Sequence, residues 1–210
     1  MKLENSLFTE KEMEPLIKSI SYNQESIIQS IIHLYLPAGK IELDPCYNRG
    51  GFYKSGKIPA PDYKFDIEPL YGIKGDSRNL PLLDKSIESE IFDPPFITYP
   101  GKSMINRMSI FGSFRTYREL KEMYRDSFIE SYRILKPGGI LIVKCQDGTT
   151  ANNLEMVHID AVILPCREIG FREIDFFILL SKQRIERRDL VQRHSRKYHS
   201  YFIVFQKGRK

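Results

Sequence analysis

Tyr132-Arg133-Ile134-Leu135-Lys136-Pro137-Gly138-Gly139-Ile140-Leu141-Ile142-Val143 joins the end of a helix to the start of a strand, and its reading decides the fold. Upstream, Thr116-Tyr117-Arg118-Glu119 is a capping box, and Leu120, Met123, Tyr124, Phe128, Tyr132 and Leu135 keep one face apolar, which predicts a helix from about Tyr117 to Leu135. Lys136-Pro137-Gly138-Gly139 stops it, because proline cannot donate a helical hydrogen bond and glycine suits the turn that follows. The run Ile140 to Val143 has no polar alternation, so it predicts a strand covered on both faces. A helix feeding such a strand is a unit of α/β folds built on a mainly parallel sheet.

Working outward, the alternation repeats. Ile27, Ile28, Ile31, Ile32 and Leu34 recur at helical spacing between Asn23 and Tyr35, and Pro37-Ala38-Gly39 ends that helix. Short strands are predicted at Ile41 to Leu43, Tyr63 to Phe65 and Ile91-Phe92, running into Asp44, Asp66 and Asp93. Leu154 to Ile169 predicts a helix that Pro165 kinks or ends early, and Phe171 to Leu180 and Tyr201 to Phe205 predict two closing strands. Ligands of open α/β sheets bind beyond the carboxyl ends of the strands, so three acids at successive strand ends make one candidate site. Any one of them also serves as an ordinary turn residue.

Composition bounds the function. A chain of 210 residues, 41% hydrophobic and 28% charged, suits one globular domain, read as an extension over 1–22 and a single domain over 23–210. No run approaches the roughly 18 apolar residues of a membrane span, and Met1-Lys2-Leu3-Glu4-Asn5 lacks the order of a secretory signal, so a cytoplasmic protein without membrane attachment is expected. Cys46, Cys145 and Cys166 are odd in number and far apart, and the histidines lack ligand spacing; reduced thiols and no metal centre are expected. The net charge is +5. Seven basic residues against two acids between Lys182 and Ser200 account for all of it, a concentration that suits a polyanion or a solvated loop.

Leu43-Asp44-Pro45-Cys46-Tyr47-Asn48-Arg49-Gly50-Gly51-Phe52 is a strand entering a tight turn of the kind that lets backbone approach a nucleotide-like ligand. It is neither a dinucleotide fingerprint nor a P-loop. Asp66 follows at about 20 residues, the distance at which nucleotide-binding α/β folds set a carboxylate on ribose hydroxyls. Asp76-Ser77 offers acceptors for an adenine amino group, or simply a turn after Gly75.

Phe92-Asp93-Pro94-Pro95-Phe96 is the sharpest motif. Here the sequence resembles the amino-methyltransferases, S-adenosyl-L-methionine-dependent enzymes that methylate exocyclic amines of adenine or cytosine in nucleic acids and carry Asp/Asn/Ser-Pro-Pro-aromatic. The likeness runs over roughly residues 20 to 207 and includes the cofactor turn, Asp66, Asp76-Ser77 with Leu80-Pro81, and the helix-to-strand stretch quoted first. It implies a Rossmann-like class I methyltransferase fold: a mostly parallel seven-stranded sheet with a C-terminal antiparallel hairpin and helices on both faces. It implies S-adenosyl-L-methionine held by Asp44, Pro45, Cys46, Asn48, Gly50, Asp66, Asp76 and Ser77, and catalysis by Asp93, Pro94, Pro95 and Phe96. Tyr47 and Arg49 depart from the small residues of many relatives and are expected to point away from the cofactor.

The chemistry fits those residue types. An exocyclic amine is a poor nucleophile because its lone pair is delocalised into the ring. The Asp93 carboxylate and the Pro94 carbonyl are expected to accept hydrogen bonds from its N–H groups and free the lone pair, Pro95 to stiffen the loop, and Phe96 to stack on the base for roughly 1–3 kcal/mol. A base inside a duplex must be flipped out to reach such a pocket. Grip on the flanking phosphates is expected from Lys102, Arg107 and Arg115 in a loop over 98–116, and from Arg187, Arg188, Arg193, Arg196 and Lys197 in the segment over 182–200. In the family, Asp before the prolines favours adenine N6 over cytosine N4, and DNA is expected ahead of RNA. Base methylation of RNA and a non-catalytic nucleic-acid-binding subunit are the alternatives, while a small-molecule methyltransferase leaves the basic segment without a purpose. Little of the length is left for target recognition, which is expected from the loops, a protein partner or a homodimer.

Overall fold

The computed structural model describes residues 16–98, 112–150, 153–182 and 194–209. In chain order the elements are β1 (Ile20–Ser21), α1 (Gln24–Tyr35), β2 (Leu43–Asp44), β3 (Tyr63–Asp66), β4 (Ile73–Lys74), β5 (Ile87–Phe92), α2 (Tyr117–Ile134), β6 (Leu135–Cys145), β7 (Gly148–Thr150), β8 (Asn153–Glu155), α3 (Leu164–Ile169), β9 (Phe171–Leu180) and β10 (His199–Lys207). The main sheet has eight strands in the order β1-β9-β10-β6-β5-β2-β3-β4. β10 is antiparallel to both neighbours, and the other pairings in this sheet are parallel. From β2 the chain steps outward to β3 and β4, then returns to β5 and β6 on the other side. The order therefore reverses between β2 and β5, where open α/β sheets bind ligands.

One strand exceeds the expected seven. Ile20 and Ser21 pair with Ile178 and Leu179, so the end of the stretch read as an extension belongs to the sheet edge.

The strand alternation divides the core into two layers. α1 presses Ile27, Ile28, Ile31 and Ile32 onto a face carrying Ile91, Ile142, Phe202 and Val204. α2 presses Leu120, Tyr124 and Phe128 onto the opposite face, against Phe92, Leu141, Val143 and Ile203. Full burial of each such side chain contributes about 1.5–3 kcal/mol. Both helices begin where their caps predict: Asn23 Oδ1 accepts from the Glu25 and Ser26 amides, and Thr116 Oγ1 accepts from the Glu119 amide. The Glu119 carboxylate reaches back to the Arg115 amide instead of that of Thr116.

β6 starts directly at the helix end. Its pairing with β5 jumps from Ile87–Leu135 to Ser89–Ile140, so Lys136 to Gly139 form a bulge inside a strand longer than the apolar run alone predicts. The helix predicted from Leu154 is shorter than its pattern. Asn153–Glu155 instead pairs with Gly148–Thr150, His158–Ile163 is a π-type turn, and only Leu164–Ile169 is α-helical. Pro165 supplies the reason: it has no N–H to give to the preceding turn, and just before it the Leu164 amide reaches the wider-spaced Ile159 carbonyl. Among the described residues no helix is long and apolar enough to cross a membrane.

Candidate active site at the carboxyl edge of the sheet

Asp44 ends β2 at 2% exposure. One carboxylate oxygen accepts the Cys46 amide at 3.0 Å and the other the Tyr53 hydroxyl at 3.1 Å. Burial pushes this carboxyl up to about 7; its two hydrogen bonds oppose the rise, and the charges of Asp93 and Asp66 add to it. Asp44 thus feels the charge of both other strand-end acids. Asp66 is half-buried, with Oδ2 accepting the Asn48 amide at 3.0 Å and Oδ1 the Glu68 amide at 2.9 Å. It thereby fixes the turn leaving β2.

That turn needs two left-handed residues, Asn48 at φ 41° and Gly50 at φ 63°. A Cβ on Gly50 would sit 2.6 Å from the Tyr47 hydroxyl. Gly50 is therefore small to admit Tyr47, whose ring stacks on Tyr53 at 5.5 Å, a packing reason beside the ligand-approach reason read from the sequence. Pro45 is buried, Cys46 half-buried and Arg49 exposed. Asp76 is gripped by Arg78 through Nε at 2.9 Å and Nη2 at 2.6 Å, and the Ser77 hydroxyl lies 2.8 Å from that of Ser127 on α2. Leu80, in the stretch likened to an adenine contact, is buried in the core, and its amide donates to Glu130 at 2.7 Å.

Asp93 follows β5 on the same edge. Its Oδ2 accepts from Lys144 Nζ at 3.0 Å, with the two side chains 23% and 16% exposed. Lys144 also lies over the rings of Phe52 at 5.2 Å and Phe202 at 5.9 Å. Pro94 is buried, and Pro95 and Phe96 are half-buried. The Tyr124 hydroxyl donates to the Pro95 carbonyl at 3.3 Å, from a ring packed edge-on against Phe92 and Phe128. Sequence reasoning missed Tyr53, Tyr124 and Lys144 as parts of the site. Lys144 left a signal, the single charge within Ile140 to Cys145.

The two segments expected to hold substrate spring from this edge too. His199 pairs with Leu180 and Tyr201 with Cys145, so the connection between β9 and β10 leaves and re-enters the sheet at its carboxyl end. Its return is anchored by Asp147, which contacts His158 Nδ1 at 2.7 Å and accepts the Tyr201 hydroxyl at 3.1 Å. Arg196 is exposed and Lys197 half-buried. The loop over 98–116 is closed at its base by a bridge between Thr98 and Phe114, and Thr98 donates to Glu155 at 2.7 Å. Arg115 is exposed at that base. Lys102, Arg107, Arg187, Arg188 and Arg193 lie outside the described residues. Burial pushes the Cys145 and Cys166 thiols well up, which makes them unreactive. No group of three metal-binding side chains occurs among the described residues.

No family model and no curated protein matches the chain. Solved structures do. A putative DNA modification methylase from Thermus thermophilus, complexed with S-adenosyl-L-methionine, aligns at 20% identity and a TM-score of 0.47 over 64% of this chain and 54% of that one. TrmN from Thermus thermophilus aligns at 14% identity and 0.49 over 87% of this chain and 48% of that one. The present chain thus spans about half the length of either. A chain from the complex between a Haloferax volcanii methyltransferase activator and the putative methyltransferase aligns at 12% identity and 0.50, over 86% of this chain and 88% of that one. The strand order, with its reversal beside β2 and its antiparallel last strand, together with that near full-length alignment, gives the chain the Rossmann-like fold of class I methyltransferases.

Proposed function

We propose that the chain is an S-adenosyl-L-methionine-dependent methyltransferase acting on an exocyclic amine of a nucleic-acid base, adenine N6 in DNA. The reading rests on one observation: Asp93-Pro94-Pro95-Phe96 leaves β5 at the carboxyl edge where β2 and β3 end in Asp44 and Asp66, at the reversal of strand order.

The residues at the ends of β2 and β3 suit the cofactor. Both Asp66 oxygens accept one amide each and keep a lone pair for a ribose diol. Asp44 ends the neighbouring strand and orders the turn of Pro45, Cys46, Asn48 and Gly50 through the Cys46 amide. Asp76 and Ser77 belong to the adenine end in this reading, with the Asp76 carboxylate shared between Arg78 and the adenine amine. When bound, the cofactor supplies an electrophilic methyl group on its sulfonium.

The chain's own residues prepare the nucleophile. Asp93 accepts a hydrogen bond from one amino N–H and the Pro94 carbonyl from the other, so the nitrogen becomes pyramidal and its lone pair is released. Tyr124 holds the Pro95 carbonyl, which keeps both acceptors in one geometry. Phe96 stacks on the base, and Arg115, Arg196, Lys197 and the basic residues beyond the described segments hold the flanking phosphates.

Tritiated cofactor offered with DNA and RNA side by side tests the reading. Asp93→Ala is expected to lower transfer by about a hundredfold or more, the scale of losing one preorganised hydrogen-bond partner, while calorimetric affinity for the cofactor persists. Turnover retained by that variant overturns the role of Asp93. Label entering RNA and not DNA overturns the choice of substrate.

A further inference from the structure

Lys144 is absent from the reaction as described so far, yet it touches the proposed acceptor. A largely buried lysine in a central strand has a desolvation cost to offset, and its neighbours identify how. Nζ is 3.0 Å from Asp93 Oδ2, and the Phe52 and Phe202 rings lie beneath it. β6 is paired on both sides here, Val143 with Phe92 and Lys144 with Phe202, so the backbone behind the ammonium cannot drift. An ammonium has three protons, and Asp93 takes one. Neither side chain is sealed off: 16% of Lys144 and 23% of Asp93 stay exposed.

An acceptor fixed beside a donor matches one kind of ligand edge: an amine next to an unprotonated ring nitrogen. An Asn or Gln carboxamide pairs an acceptor with a donor in a comparable way when it reads adenine N6 and N7. We propose that Lys144 is a specificity-determining residue of this site, its ammonium donating to the ring nitrogen adjacent to the amine that Asp93 holds. The assignment rests on the methyltransferase reading above. In adenine the partner is N1 and in cytosine N3. A lysine that only neutralised Asp93 would be indifferent to that ring atom.

The test compares an oligonucleotide carrying adenine with one carrying 1-deazaadenine, in which a C–H replaces N1 and the amine is kept. With the full wild-type chain, kcat/KM for methyl transfer is expected to fall about tenfold to a hundredfold on this replacement, the range for losing a hydrogen bond to a charged group. In Lys144→Met the two substrates are expected to approach equality, whereas Lys144→Gln, whose carboxamide still offers an N–H, is expected to keep part of the difference. Cofactor titration and thermal denaturation confirm that each variant is folded. Equal rates on both substrates in the wild-type protein overturn the assignment without recourse to any variant, as does an undiminished difference in folded Lys144→Met. No transfer to either substrate by the wild-type protein overturns the methyltransferase reading and this assignment with it.

Discussion

Tyr124 shows how one hydroxyl links the core to the proposed catalytic loop. Its ring is fully buried, and its oxygen holds the Pro95 carbonyl at 3.3 Å. Tyr124→Phe keeps the packing and removes the bond; it is expected to cost about 1 kcal/mol of stability and to lower kcat more than it raises KM, since the loop is held less firmly. An unchanged kcat in steady-state assays would detach Tyr124 from the site. Gly50→Ala acts on the other side. A positive φ and the Tyr47 ring both resist the methyl group, so a loss of about 1–3 kcal/mol in urea unfolding is expected, with weaker cofactor binding. The sequence made Asp44, Asp66 and Asp93 visible because each ends an apolar run. It could not show that Lys144 meets Asp93, since the register between adjacent strands is set by the whole sheet.

Elements were legible where a periodic face met an explicit stop. α1 and α2 begin at Asn23 and Thr116 because those side chains satisfy amides at the first turn. Thr116→Ala is expected to cost about 1 kcal/mol, and since α2 carries Tyr124 the loss should also appear as reduced transfer. Denaturation curves matching wild type would remove the cap from the account. The stretch over 154–169 was less legible, because an apolar pattern interrupted by proline fits a hairpin, a wide turn and a short helix equally well. β1 was invisible, being two residues long with no pattern of its own.

At the scale of the whole molecule, two buried carboxyls set a pH dependence. Burial pushes Asp44 up to about 7 and Glu90 up to about 8, so both bind protons more tightly folded than unfolded. The stability they contribute is complete below about pH 4 and is lost as pH rises through about 7 and 8. Urea unfolding should therefore give a lower stability at pH 9 than at pH 6, and Glu90→Gln, which keeps an acceptor for Ser131, should recover on the order of 1–3 kcal/mol of it. Parallel pH curves for the two proteins would contradict this. The basic connection leaves the sheet at the edge that holds Asp93, which the sequence could not establish. Replacing Arg187, Arg188, Arg193 and Arg196 by Ala is expected to weaken DNA binding and flatten its salt dependence by roughly one unit of slope per lost phosphate contact. The central claim is methyl transfer to a base amine. Mass spectrometry of nucleosides from DNA incubated with the protein and methyl-labelled S-adenosyl-L-methionine tests it most directly: labelled N6-methyldeoxyadenosine is the predicted product, and nucleosides free of label would contradict the account.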